Sequence, residues 1–171
     1  RLMVVMMTEV AIRATGDEGD VEQTFLKALA LLEQAHRRLH DVVKDKLERS
    51  GERSLTGVQA LLLYEIGDGE TPASALRARG SFAGTSMSYN LKKLQEGGYL
   101  IQTRSSDDRR TVRLKLTPSG LAVRARVQDL FEKQATSLEP TASVRPDDLD
   151  QLNRTISRLE RFWSDQIRYQ L

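Results

Sequence analysis

Apolar positions first return with helical spacing between Val21 and Leu47. Val21, Phe25, Ala28, Leu29, Leu32, Ala35, Leu39, Val42, Val43 and Leu47 recur largely at three- and four-residue steps, with no glycine or proline between them. This is the pattern of one long amphipathic helix. Ahead of it, Thr15-Gly16-Asp17-Glu18-Gly19-Asp20 offers a break and an N-cap, and Ser50-Gly51 supplies a stop. The earlier run Leu2–Met7 is apolar for six residues, too short for a membrane span or the apolar part of a signal peptide. It reads as an arm, and Met3, Met6 and Met7 suit adaptable packing against a partner subunit.

The next signal is a cap. Thr56 can accept from the backbone N–H of Gln59 while the Gln59 side chain reaches back, and Leu55 can staple onto Ala60. A second helix is therefore predicted as far as Ile66. Gly67-Asp68-Gly69 turns the chain, and Thr71-Pro72 offers a capping hydroxyl with proline at a first helical position, so a short third helix is expected to end at Gly80. After the turn Ser81–Gly84, Thr85 or Ser86 can cap a fourth helix that stops at Gly97-Gly98. Met87, Leu91 and Leu94 share one stripe of it, and Ser86, Ser88, Tyr89, Lys92 and Lys93 lie opposite.

The period then changes to two. Tyr99–Thr103 is a short β-prone run, and Thr111–Leu116 alternates, with Val112, Leu114 and Leu116 on one face and Arg113 and Lys115 on the other. The turn-rich stretch Arg104–Arg110 joins them, so a two-stranded hairpin with a basic tip is predicted. Thr117-Pro118 caps another helix through Leu121, Val123, Val127, Leu130 and Phe131 to about Leu138, and Glu139–Pro146 is expected to be a linker. Asp147 and Asp148 suit the first turn of a last helix carrying Leu149, Leu152, Ile156, Leu159, Phe162, Trp163 and Ile167.

At 171 residues, with 39% apolar and 29% charged positions, the chain suits one folded domain with an added oligomerisation element, and a cytoplasmic location is expected. The absence of cysteine excludes disulfides, thiolate zinc sites and thiol redox sensing. Net charge is only +2, but its distribution is uneven. Residues 77–115 carry nine Lys or Arg against three acids, a local +6 that leaves −4 for the remainder. A basic stretch in a mildly acidic chain is the electrostatic footprint of a polyanion-binding surface.

Three short helices followed by a basic two-stranded ribbon form a unit with one polar helix face left over. A helix fits the major groove of duplex DNA, where hydroxyl, amide and ammonium groups meet base edges and phosphates, and arginines on a β-tip suit the minor groove. The candidate DNA-binding residues are Thr85, Ser86, Ser88, Tyr89, Asn90, Lys92, Lys93, Arg104, Arg109 and Arg110, although Asn90 equally fits a buried amide.

The sequence resembles the multiple-antibiotic-resistance regulator (MarR) family of bacterial transcription factors over roughly residues 21–169. The resemblance is carried by Leu55-Thr56 with Gln59 and Leu62, by Ser86-Met87-Ser88 with Leu94–Leu100, and by Asp108-Arg109-Arg110 followed by Val112, Leu114 and Leu116–Gly120. It implies a mainly α fold with a small β-wing, in which a winged helix-turn-helix core is flanked by N- and C-terminal dimerisation helices. The expected divisions are an arm at 1–19, a dimerisation helix at 20–54, the DNA-binding domain at 55–117 and dimerisation helices at 118–171. The resemblance further implies a homodimer on a pseudo-palindromic double-stranded operator, with Arg109 or Arg110 in the minor groove and Asp108 stabilising the wing through an ion pair. A small-molecule effector is expected between the dimerisation helices and the winged lobe.

Other chemistry is weak. His36 and His40 stand four apart on one helix face, a spacing that can hold a metal, but a structural or pocket-lining role is favoured and no metal or cofactor is expected. Phe162, Trp163 and Tyr169 fit a dimer core better than a ligand stack. No acid, base and nucleophile fall together and no phosphate loop is present, so enzyme activity is not expected. Two alternatives remain open: a winged-helix module for protein contacts, and a nucleoid-binding protein without sequence preference.

Overall fold

The computed structural model describes residues 2–79, 86–104, 107 and 111–170, with side chains described from residue 19 onward. Its elements are α1 (Leu2–Arg49), α2 (Gly57–Ile66), β1 (Thr71–Pro72), α3 (Ala73–Arg79), α4 (Met87–Glu96), β2 (Leu100–Arg104), β3 (Val112–Leu116), α5 (Pro118–Ala142) and α6 (Pro146–Tyr169). Two compact units are present, Arg1–Ala125 and Arg126–Leu171. Among the described residues, no helix is long and apolar enough to cross a membrane.

The break expected around Gly16 is not there, because α1 is continuous from Leu2 to Arg49. A glycine costs a helix interior only about 1 kcal/mol relative to alanine, and without a proline every N–H stays available, so an established helix propagates through it. The predicted stop holds: Ser50 donates its N–H to the carbonyls of Lys46 and Leu47, and Gly51 takes φ 88°.

α2 begins as its sequence specifies. The Gln59 N–H donates to Thr56 Oγ1 at 3.2 Å, and the Thr56 N–H donates to Gln59 Oε1 at 3.0 Å. Buried Leu61, Leu62 and Leu63 make this helix the centre of the first unit's core, with Val43 and Leu47 of α1, Leu76 of α3, Leu94 of α4 and Leu114 of β3. Each such side chain contributes roughly 1.5–3 kcal/mol on leaving water. At the start of α2, a Cβ on Gly57 would collide with the carbonyl oxygen of His40. The approach of α2 to α1 is thus backbone on backbone, which only glycine permits.

Thr71-Pro72 is not the start of a helix but a short strand. It pairs antiparallel with β3, Thr71 opposite Leu114 and Pro72 opposite Arg113, and the Thr71 hydroxyl donates to the Ile66 carbonyl at 2.8 Å instead of capping α3. Proline is tolerated there because an edge strand does not need its N–H. The predicted hairpin is therefore a three-stranded sheet of order β1-β3-β2, with Leu100 opposite Leu116 and Arg104 opposite Val112. The alternation predicted for β3 holds: Leu114 and Leu116 are buried and Lys115 is exposed.

One polar cluster ties the sheet to the α1–α2 connection. Tyr99, just before β2, donates its hydroxyl to Glu52 Oε2 at 3.0 Å and lies 2.8 Å from Ser54 Oγ.

In the chain's C-terminal part, the linker expected from Glu139 does not begin there: α5 continues through Pro140 to Ala142. The i−4 carbonyl that Pro140 would have used belongs to Thr136, whose own hydroxyl turns back to the Lys133 carbonyl at 2.9 Å. The helix stops at Ser143, which takes φ 56° and donates its N–H to the Glu139 carbonyl. α6 then opens with Pro146 at its first turn, and Asp148 Oδ2 accepts the Arg145 N–H at 2.9 Å. No residue of α6 is buried, and Leu149, Leu152, Ile156, Phe162, Trp163 and Ile167 are all exposed.

Candidate nucleic-acid interface

α4 is anchored by one stripe and open on the other. Met87, Leu91 and Leu94 are buried, while Ser86, Ser88, Tyr89, Lys92 and Lys93 are all exposed, as their spacing predicts. Tyr89 shows 62% of its surface. An aromatic left that exposed in a helix with an intact apolar stripe does not serve the core.

Of the two roles open to Asn90, the structure shows the buried amide rather than a DNA-facing one. It is only 6% exposed, and its amide Nδ2 donates to both the carbonyl and the hydroxyl oxygen of Ser86 at 3.0 Å. It stands three residues after Met87 and four before Leu94, on the buried stripe. There it closes the first turn of α4, where the Ser86 side chain makes no cap of its own.

The two lysines share one acid. Lys93 Nζ lies 3.4 Å from Glu96 Oε2 and Lys92 Nζ 3.9 Å from Glu96 Oε1, with all three side chains at least 48% exposed. Such pairs are worth about 0–1 kcal/mol and yield readily to a stronger anion. Lys93 also sits 5.8 Å from the centre of the Tyr89 ring.

Around α4, Arg104 is exposed at the end of β2, opposite Val112. Thr85, Asp108, Arg109 and Arg110 lie outside the described residues. Arg77 belongs to the basic stretch 77–115 but carries no motif or spacing that assigns it a role. It stands in the last turn of α3 with its Nη2 3.0 Å from Ser88 Oγ on α4. No periodicity reveals this contact, because it depends on how α3 crosses α4.

A hollow of the first unit, about 580 Å³, is lined by Gln34, His36, Arg37, Arg38, His40 and Asp41 of α1 and Val58 of α2. The two imidazoles stand 4.4 Å apart, centroid to centroid. His40 Nε2 is buried without a hydrogen-bond partner among the described residues. Burial, then the neighbouring His36, lowers the His40 pKa from the usual 6.5, and Asp41 opposes them. No group of three or more metal-ligating side chains occurs among the described residues.

A compact helical unit with a three-stranded sheet and one polar helix left open is the geometry of a winged-helix DNA-binding domain. Residues 55–120 match the family described as "Winged helix DNA-binding domain". The exopolysaccharide II synthesis transcriptional activator ExpG of Rhizobium meliloti (strain 1021) is 28% identical over 153 residues, 90% of this chain and 78% of its own length. Among solved structures, the M. tuberculosis transcriptional regulator MOSR in complex with DNA is 26% identical with a TM-score of 0.58, covering 80% of this chain and 96% of its own. AbsC, a MarR family transcriptional regulator from Streptomyces coelicolor, is 16% identical with a TM-score of 0.60, covering 81% of this chain and 93% of its own. Residues 55–120 thus form a winged-helix DNA-binding domain, and the chain shares the fold of the MarR-family regulator AbsC.

Proposed function

We propose that the protein acts as a homodimer that binds a pseudo-palindromic operator in double-stranded DNA and responds to a small molecule. The observation that carries the DNA reading is the division of α4: an apolar stripe held in the core leaves Ser86, Ser88, Tyr89, Lys92 and Lys93 facing outward together. Ser86 to Lys93 would enter the major groove, and Arg104, Arg109 and Arg110 would take the backbone and minor groove, with Asp108 bracing the wing. MOSR, crystallised with DNA, supports the same use of the fold.

The dimer reading rests on α6, whose apolar residues are exposed along its length, and on the exposed Val21, Phe25, Leu26 and Leu31 of α1. Helices this amphipathic require a partner surface. Half-sites would then lie about one helical turn apart, roughly 34 Å. The effector reading rests on the hollow at His36 and His40, whose 580 Å³ falls in the range of small-molecule sites. An effector placed there shifts DNA affinity only if it favours one dimer shape over another.

The test is the affinity for duplex fragments selected from the source genome, measured across salt concentrations. Log affinity is expected to fall with log salt by several units, about 0.9 for each phosphate neutralised. A flat response, or no binding at low salt, would leave the protein-contact module as the better reading. A slope without preference among fragments would favour nucleoid binding.

A further inference from the structure

We propose that Arg77 is a positioning residue that biases the hydrogen-bonding sense of Ser88, so that this position of α4 favours an acceptor on the DNA over a donor. The inference rests on the DNA-binding reading above and adds a rule of specificity to it.

A serine hydroxyl has one rotatable proton and two lone pairs, so an isolated serine in a groove pairs with donors and acceptors alike. Ser88 is not isolated. Arg77 Nη2 lies 3.0 Å from its oxygen. A guanidinium carries five N–H donors, no acceptor, and stays protonated. The contact therefore has one sense: Arg77 donates and Ser88 accepts. One lone pair is occupied, and the cationic donor draws charge from the oxygen, so the remaining lone pair is a poorer acceptor and the O–H a stronger donor.

The arginine comes from a separate, anchored helix. Ala73 and Leu76 hold α3 in the core, while Arg77, one residue on from Leu76, is exposed. Both partners line a cleft of about 300 Å³ whose other walls include Leu91 of α4, Gln102 of β2 and Val112 of β3. Removing the guanidinium leaves room there for water, which donates or accepts, and Ser88 recovers both senses.

In the major groove, guanine N7 and O6, adenine N7 and thymine O4 are acceptors, whereas cytosine N4 is a donor. A Ser88 biased toward donating disfavours cytosine at the base it faces.

The experiment selects binding sites from a randomised duplex library with the full-length parent, Arg77→Met, Ser88→Ala and the double variant. Arg77→Met keeps a stem of similar length without the charged fork, and thermal melting checks that each variant folds. At one position per half-site the parent is expected to disfavour cytosine roughly fivefold, the worth of one net hydrogen bond. Arg77→Met, Ser88→Ala and the double variant are all expected to lose that preference to the same extent, with no additivity. If Arg77→Met keeps the preference that Ser88→Ala loses, the proposal is overturned. It is also overturned if Arg77→Met weakens every duplex alike, lowers the salt slope and adds to Ser88→Ala, the behaviour of a plain phosphate contact. A parent without salt-dependent DNA binding would instead remove the DNA reading itself.

Discussion

α4 and α6 are both amphipathic, yet they leave opposite faces to the solvent. In α4 the apolar stripe is satisfied by its own chain, since Met87, Leu91 and Leu94 are buried, and what remains outside is polar and cationic. In α6 nothing is buried, and the apolar side, with Phe162 and Trp163, stays exposed. The contrast teaches that amphipathicity alone does not say which face does the binding. That depends on which face the fold has already consumed. α4 is left with chemistry suited to a polyanion, and α6 with area suited to another apolar surface.

The largest effect should come from spoiling the α6 face. Phe162→Asp combined with Trp163→Asp is expected to yield monomers in sedimentation and to weaken operator binding more than 100-fold. At roughly 1.5–3 kcal/mol for each aromatic removed from an interface, the loss is of that order. A double variant that stays dimeric would show that α6 does not hold the dimer. Gly57→Ala tests the frame that presents α4. The added methyl meets the His40 carbonyl, and a destabilisation of about 1–3 kcal/mol in urea unfolding is expected. An unchanged midpoint would show that α2 can step back from α1 at no cost.

Smaller effects sharpen the α4 side. Glu96 is the acid shared by Lys92 and Lys93, so Glu96→Gln should raise DNA affinity a few-fold, within the roughly 1 kcal/mol of a surface pair. Unchanged binding in a titration would mean that neither lysine reaches a phosphate. The smallest effect concerns acid. With its folded pKa lowered below 6.5, His40 takes up its proton more readily in the unfolded chain. The stability it preserves is therefore present above pH 6.5 and declines as pH falls through that value. His40→Gln should flatten the decline in unfolding midpoint between pH 7 and pH 5, and an equally steep decline would place its origin in other groups.

The sequence made legible whatever depends on neighbours along the chain. The Thr56–Gln59 capping box, the alternation of β3 and the stripe of α4 follow from spacings of two, three and four residues, and the acidic first turn of α6 from its place after the linker. What escaped depends on context beyond that range. Glycines at 16 and 19 looked like a boundary, but a helix already under way propagates through them. Thr71-Pro72 has good helix-start chemistry, yet β3, some forty residues later, recruits it as a strand. Pro140 resembled a terminator, but α5 runs through it to Ala142. In the candidate site, the exposed side of α4 could be read by counting, whereas Arg77 meeting Ser88 could not. Asn90 was ambiguous for the same reason: its side chain is polar, but its position belongs to the core.

The order β1-β3-β2 leaves β3 paired on both sides, so only the outer strands could recruit another chain. The outer side of β1 is two residues long and lacks an N–H at Pro72, a poor template for strand addition. The longer accessible edge is β2, Leu100–Arg104, with half-exposed Ile101 on it. Aggregation by sheet extension would therefore start at the wing, and a preparation undergoing it should lose DNA binding before it loses helical structure.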